Sequence, residues 1–365
     1  MRKPFLLAPL LCCALAFSSF AQPDARERIA GYFRAWYAYI PGSEVSVSPT
    51  REVVLPGLEA YKVERRSSSK SHQEENITFY DTGRGEIFVG DLLHDPGRST
   101  GNRPFDPVRD LPGIEASMAE LFGLPVKVEL GSNARGALLP LTISIRQEKD
   151  SDSFVARAGF VSKDGSTLML GEFQPLAGGP AAFREKLLGQ TERVHPRQGR
   201  FTVTEFLDFQ CERCRVRTPD VRRAVEEKGG TVEIRFLPLV KTHDWAFGAA
   251  ESAAALAGVK PELYRRYEEA VFARSEGMSR AAARELASDI AEAAGARDAF
   301  AAELSSGRAR SRVLRDVGLA MRLGVTATPA FLYRGTLLPG EKGRLETFLW
   351  ESLKAPAQRT ATPTG

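Results

Sequence analysis

Cys211 and Cys214, in the run Phe206-Leu-Asp-Phe-Gln-Cys-Glu-Arg-Cys-Arg215, are the residues whose type and spacing promise chemistry. A thiolate, not a thiol, attacks a disulfide, so such a pair works only where the anion is favoured near neutral pH. The apolar run Phe201–Phe209 predicts a buried strand, and residues 211–228 predict a helix. Cys211 then stands at a helix N-terminus, where unpaired N–H groups and the helix dipole favour the anion. Cys214 follows about one turn later, within reach to resolve a mixed disulfide. Between them, Arg213 should favour the thiolate and Glu212 should disfavour it, so this dipeptide tunes the redox balance. Two other uses of the pair stay open: an inert local disulfide, and half of a zinc site. As a staple the pair is poorly placed, because so small a loop contributes about 2 kcal/mol against about 4.7 kcal/mol for a 100-residue loop. Zinc needs two further ligands, and neither His195 nor His243 sits at finger-like spacing from the pair.

The surrounding elements must hold this motif. Residues 22–38 carry Ile29, Tyr32, Phe33, Trp36 and Tyr37 at helical spacing, and predict an amphipathic helix. Short alternating strands follow at 44–47, 57–64 and 77–93, the last folded back at Asp81–Gly85. The pattern then recurs at an offset of 81 to 84 residues: a helix at 114–122, strands at 126–129 and 141–146, and a hairpin at 159–171. We read residues 22–185 as an α+β domain of two repeated helix-plus-meander units. Residues 186–199, polar with a proline and a glycine, suit a linker. Beyond it come the strand and helix of the cysteine motif, a second strand at 232–237, and an Ala-rich helical block from Thr242 to about Leu323. A strand at 330–333 and a helix at 343–353 close the second domain, 200–356, before a tail at 357–365.

Residues 1–21 read as a secretory signal, with Arg2 and Lys3 before an apolar core and Ser19-Phe20-Ala21 as cleavage site. Its removal would take Cys12 and Cys13, leaving Cys211 and Cys214 as the cysteines of an exported chain. Export implies an oxidising compartment, the periplasm, in which a structural scaffold would use more cysteines and longer loops. A formal net charge of +4 in 365 residues gives no argument for a nucleic-acid partner.

Residues 200–355 resemble a thioredoxin-fold domain of the DsbA-like thiol-disulfide oxidoreductase family. The resemblance rests on the Cys-x-x-Cys and on three further positions. Glu205 falls where the family has a buried acid that helps move the proton of the resolving cysteine. Pro219 falls where the family's active-site helix has its kinking proline. Thr328-Pro329 falls where the family has a cis-proline that presents backbone to the substrate peptide, and the helical block matches the family's insertion. The resemblance implies an α/β thioredoxin fold with a helical insertion, with Cys211 as nucleophile, Cys214 as resolving thiol and Thr328-Pro329 as the substrate dock. No cofactor is implied beyond the redox-active Cys211–Cys214 disulfide. The partners it implies are cysteine-containing exported proteins and a membrane or soluble redox partner. The Glu-Arg dipeptide departs from the well-known oxidant and reductant members, so the direction of electron flow stays open. The first domain is distantly similar to the dimerisation domain of DsbC-like isomerases, which would make the protein a homodimeric isomerase or reductase. A non-enzymatic binding protein on the same scaffold is the third reading.

Overall fold

The computed structural model describes residues 24–351 apart from short segments, the longest being 95–103, 147–152 and 192–198. The expected signal at 1–21, half of the expected linker and the tail at 357–365 lie outside the described residues.

The first domain is one sheet made of two similar halves. The first half runs α1 (Ala25–Trp36), β1 (Ser43–Pro49), β2 (Glu59–Ser67), β3 (Lys70–Asp81) and β4 (Glu86–His94). The second runs α2 (Pro107–Phe122), β5 (Val126–Leu130), β6 (Leu138–Arg146), β7 (Ser153–Ser162) and β8 (Thr167–Pro175). The eight strands are ordered β1-β2-β3-β4-β8-β7-β6-β5, so each half is a meander and the halves join edge to edge along β4 and β8. That seam runs from Glu86↔Pro175 to His94↔Thr167, with Gly90 opposite Gly171 at its middle. A Cβ on Gly90 would fall 2.1 Å from the Leu170 carbonyl oxygen, so the close approach of the two halves requires glycine there. Merging the meanders leaves the domain with two strand edges, β1 and β5, instead of four.

Helical periodicity accounts for the packing of α1 and α2. Asp24 caps α1 by accepting from the Arg26 N–H at 3.0 Å. Ile29, Tyr32, Phe33 and Trp36 then recur at intervals of three and four and bury against Val47, Tyr61 and Val63. Ile114 and Met118 of α2 do the same against Val126, Val128, Leu141 and Ile143. The opposite face of the sheet buries Phe79, Phe88, Leu138 and Met169.

A helix α3 (Gly179–Gly189) follows β8. Residues 186–189, expected in the linker, are its last turn. Leu187 explains why: this turn is buried in a cluster with Phe206, Leu319, Leu323, Val325 and Leu332 of the second domain. A polar-looking stretch with one inward leucine per turn reads as linker until the neighbouring domain supplies its partner.

The second domain runs β9 (Thr202–Leu207), α4 (Glu212–Glu227), β10 (Thr231–Phe236), then α5 (Ala246–Val259), α6 (Pro261–Ala273), α7 (Arg280–Ala293), α8 (Arg297–Ser305) and α9 (Arg308–Leu323), and finally β11 (Ala330–Tyr333) and β12 (Thr336–Leu338). Its sheet is ordered β10-β9-β11-β12, with β10 parallel to β9 and β11 antiparallel to it. This is the α/β architecture with a helical insertion expected from the sequence. In α5, buried Ala249, Ala250, Ala253 and Ala254 allow the neighbouring helices to approach closely. The short strand β12 was not foreseen: three residues are below the length at which alternation is legible. Of the expected closing helix, residues 345–347 and 350–351 are helical, and several of the others lie outside the described residues.

Candidate active site

The strand predicted to reach Phe209 ends at Leu207, because Asp208 turns the chain. Its buried carboxylate accepts the Gln210 N–H at 2.7 Å and the Leu239 N–H at 2.7 Å, and lies 2.8 Å from Nδ1 of His243. Gln210 in turn accepts the Trp245 N–H at 3.0 Å. These bonds tie the turn before the cysteines to the segment after β10, and so fix where α4 begins. Asp208, Gln210 and Trp245 were not singled out as site residues from the sequence, and His243 entered only as a residue at the wrong spacing for a zinc site. The legible signal was an Asp at a strand end, two residues before an N–H it can accept, which is an Asx turn.

Cys211 is the N-cap residue of α4, with extended backbone angles, and Cys214 is fully buried one turn further in. Both are free thiols. The Thr328–Pro329 peptide bond is cis and carries Thr328 to the cysteines. The Cys211 S–H donates to the Thr328 carbonyl oxygen at 3.4 Å. The register of the sheet explains the meeting, because Glu205 of β9 pairs with Phe331 of β11, two residues after Pro329. Strand β9 therefore delivers the cysteine turn at its C-terminal end, and β11 delivers Thr328-Pro329 beside it.

The electrostatics separate the two sulfurs. The Cys211 thiol is held well below its ordinary range, at about 5. The hydrogen bond from the Cys214 thiol is the largest cause, opposed by burial and aided by the Thr328 side chain and by the N–H groups of Cys214 and Arg213. The Thr328 hydroxyl is buried with no partner among the described residues, so its O–H is free to donate to a thiolate. Burial pushes the Cys214 thiol far up, and the neighbouring Cys211 pushes it further.

Glu205 is completely buried. Burial pushes its carboxyl up to about 8; the Thr218 hydroxyl, which donates to Oε1, opposes the rise, and the Glu268 charge adds to it. Oε2 of Glu205 has no partner among the described residues. Glu268 itself is bound by Arg222, whose Nη2 donates to it at 2.8 Å, and by the Tyr264 hydroxyl. Glu205 is thus a neutral acid at the lower end of the physiological range and close enough to Cys214 for its charge to be felt there. Pro219 lies inside α4, where it removes one backbone donor.

The dipeptide between the cysteines behaves differently from expectation. Glu212 is exposed and engaged by Arg215, whose Nε donates to it at 2.8 Å. Arg213 is exposed, and among the groups acting on Cys211 it enters through its backbone N–H. The arrangement can present one low-pKa sulfur to a disulfide and keep a second, protonated sulfur behind it with a buried acid nearby.

The family model described as Thioredoxin matches residues 198–347. A curated relative, the Na(+)/H(+) antiporter NhaA 3 of Salinispora tropica, is 30% identical over 145 residues, which cover 38% of this chain. The chain spans 21% of that relative's length. Among solved structures, the catalytic domain of Proteus mirabilis ScsC is 18% identical, covering 48% of this chain and 98% of that one with a TM-score of 0.39. The thiol-disulfide exchange protein alpha-DsbA2 of Wolbachia pipientis is 19% identical, covering 47% and 95% with a TM-score of 0.38. BdbD of Bacillus subtilis is 19% identical, covering 44% and 94% with a TM-score of 0.36. The match to the thioredoxin family model thus runs from the end of the expected linker through the last strands of the second domain, and the first domain lies outside it.

Proposed function

We propose that this protein exchanges disulfides with cysteines of other exported proteins, and that it does so as an oxidant. The observation that carries the reading is the low-pKa sulfur of Cys211, at the N-terminus of α4 and against the Thr328 carbonyl. A substrate thiolate attacks Sγ of Cys211 in the Cys211–Cys214 disulfide; a mixed disulfide forms and Cys214 departs, taking a proton from the Glu205 carboxyl. A second substrate thiolate then attacks the substrate sulfur of the mixed disulfide, and Cys211 departs as a thiolate. The substrate leaves oxidised, and the domain is left as a dithiol for a membrane or soluble redox partner to reoxidise. A thiol of low pKa is a good leaving group, and a stabilised thiolate favours the reduced form of the enzyme, so both effects drive electrons toward Cys211–Cys214. In this scheme Thr328-Pro329 docks the substrate strand, and residues 1–21 direct the chain to the periplasm. No helix of the described residues is long and apolar enough to cross a membrane.

The test is equilibration of the full chain with glutathione buffers, followed by trapping with Cys214→Ser. A pair that reduces readily, together with mixed disulfides on exported proteins, agrees with the reading. A pair that resists millimolar reductant, or a variant that traps nothing, sinks it.

A further inference from the structure

The two domains meet around the C-terminus of α9, five residues before Thr328. Arg184 of α3 is 1% exposed, and its Nε donates to the Leu323 carbonyl of α9 at 3.0 Å. Its Nη2 donates to the Trp36 carbonyl at the end of α1, at 3.5 Å, and its guanidinium lies 4.2 Å from the centre of the Trp36 ring. Leu323 and Trp36 are the last residues of their helices, whose final carbonyls lack partners within the helix and carry the negative end of the dipole. One buried cation therefore bridges two helix C-termini, one from each domain.

The contacts around it follow the chain into the active site. Gly324 ends α9 at φ +72°, and a Cβ there would fall 2.4 Å from Cζ2 of Trp36. Val325 is buried in the same cluster as Leu187 of α3. On the far side of Pro329, the turn between β11 and β12 presses on α3, since a Cβ on Gly335 would fall 1.9 Å from the Ala181 carbonyl oxygen. Elements of the first half of the chain thus hold the segment carrying Thr328-Pro329 at both ends. Asp316 completes the seating of α9 from the other side: Arg235 donates to it at 3.1 Å and the Phe236 N–H at 3.0 Å. Arg322 binds Glu172 of β8 along the same helix.

We infer that Arg184 and Trp36 form a clamp through which the first domain sets the position of Thr328 against Cys211, so that Arg184 is a positioning residue for disulfide exchange. The inference rests on the exchange reading proposed above. A buried guanidinium that only filled space would be replaceable by an apolar side chain of similar volume. A clamp instead transmits displacement, because Leu323 and Val325 are anchored in one cluster and Thr328 follows three residues after Val325.

The experiment uses the full-length reduced protein and reads the Cys211 thiolate midpoint by ultraviolet absorbance, and the exchange rate with glutathione disulfide. Arg184→Leu and Gly324→Ala are expected to raise the midpoint and to slow exchange about threefold to tenfold just above it. Arg184→Lys, which keeps the charge but not the forked geometry, is expected to fall between them and the unaltered protein. Arg297→Ala, in the insertion, is the control that leaves both readouts in place. Should Arg184→Leu fail to fold, Arg184→Lys carries the test, because it keeps the buried charge and leaves the backbone of α9 unstrained. A lowered melting temperature with an unmoved midpoint and rate would overturn the clamp while leaving the exchange reading intact. An unaltered protein without a low-pH thiolate would overturn both.

Discussion

The two sheets treat buried polar atoms in opposite ways. In the first domain, Arg135 of the second half donates to Asp81 at 2.6 Å and to Glu86 at 2.5 Å in the first, and lies 4.0 Å from the centre of the Phe173 ring. Among the described residues of that domain, Ser43 Oγ is the single buried side-chain N or O atom without a partner. In the second domain such atoms are more numerous, on Arg217, Tyr267, Glu303 and Tyr333 among others, and two of them, Glu205 Oε2 and Thr328 Oγ1, lie at the cysteine pair. An open buried polar atom costs about 1–3 kcal/mol, and the two beside the sulfurs are placed where a transient charge or proton could be met. The buried carboxylates away from the sulfurs make the same point: Glu268 is held by Arg222 and Asp316 by Arg235. Glu205, beside the sulfurs, has no cation on it among the described residues and accepts one hydroxyl bond, from Thr218. The difference is that the first domain satisfies its buried polar atoms almost completely and the second does not.

Three substitutions break or sharpen that contrast. The largest effect is expected from Gly90→Ala at the seam. Its Cβ meets backbone, which cannot move aside, and the loss should be about 3 kcal/mol in thermal or urea unfolding, with exchange per folded molecule within about twofold of the unaltered protein. A large loss of exchange at unchanged stability would mean that the seam is not merely structural.

Next comes Glu205→Gln, read in the oxidised protein so that Cys211 does not titrate. Because the folded-state pKa of Glu205 lies near 8 and the unfolded value is 4.5, the folded chain binds the proton more tightly. Stability attributable to this group is therefore full below about 4.5 and falls as the pH rises toward about 8. The glutamine variant lacks that slope, and its stability relative to the unaltered protein should improve by on the order of 2 kcal/mol from the acid to the alkaline side. Parallel stability curves would show that Glu205 ionises normally.

The smallest effect is expected from Thr328→Val. It removes a hydroxyl that has no neutral partner, so folding stability should hardly change, while the Cys211 midpoint rises from about 5 by roughly one pH unit. In the reduced protein the depressed Cys211 pKa contributes stability that is present above 9.0 and is lost as the pH falls through about 5. The variant should lose that contribution at a higher pH, and an unmoved midpoint would remove the Thr328 hydroxyl from the site, leaving its carbonyl.

Much of this was legible before the fold. The Cys211–Cys214 spacing, the apolar strand before it and the helical pattern after it are local properties, and local periodicity predicts β9 and α4 without a partner. The matched offsets of the two halves of the first domain are likewise visible in the chain itself. The dipeptide was misleading for a physical reason: formal charge is written in the sequence, but exposure and the Arg215 contact decide how much of the Glu212 charge reaches Cys211. Asp208 offered only a local turn signal and Gln210 none, because their partners Leu239, His243 and Trp245 lie about thirty residues away.

What the sequence by itself determined is the chemistry on offer: two thiols one helical turn apart, an acid six residues before them and a distant Thr-Pro. Tertiary structure alone decided how that chemistry is set. The β9–β11 register brings Thr328 to Cys211, burial raises Glu205 and Cys214, and the packing of α1 and α3 on the end of α9 joins the first domain to the second. Desolvation and long-range register depend on which segments meet, and that information resides in the whole chain and in no single stretch of it.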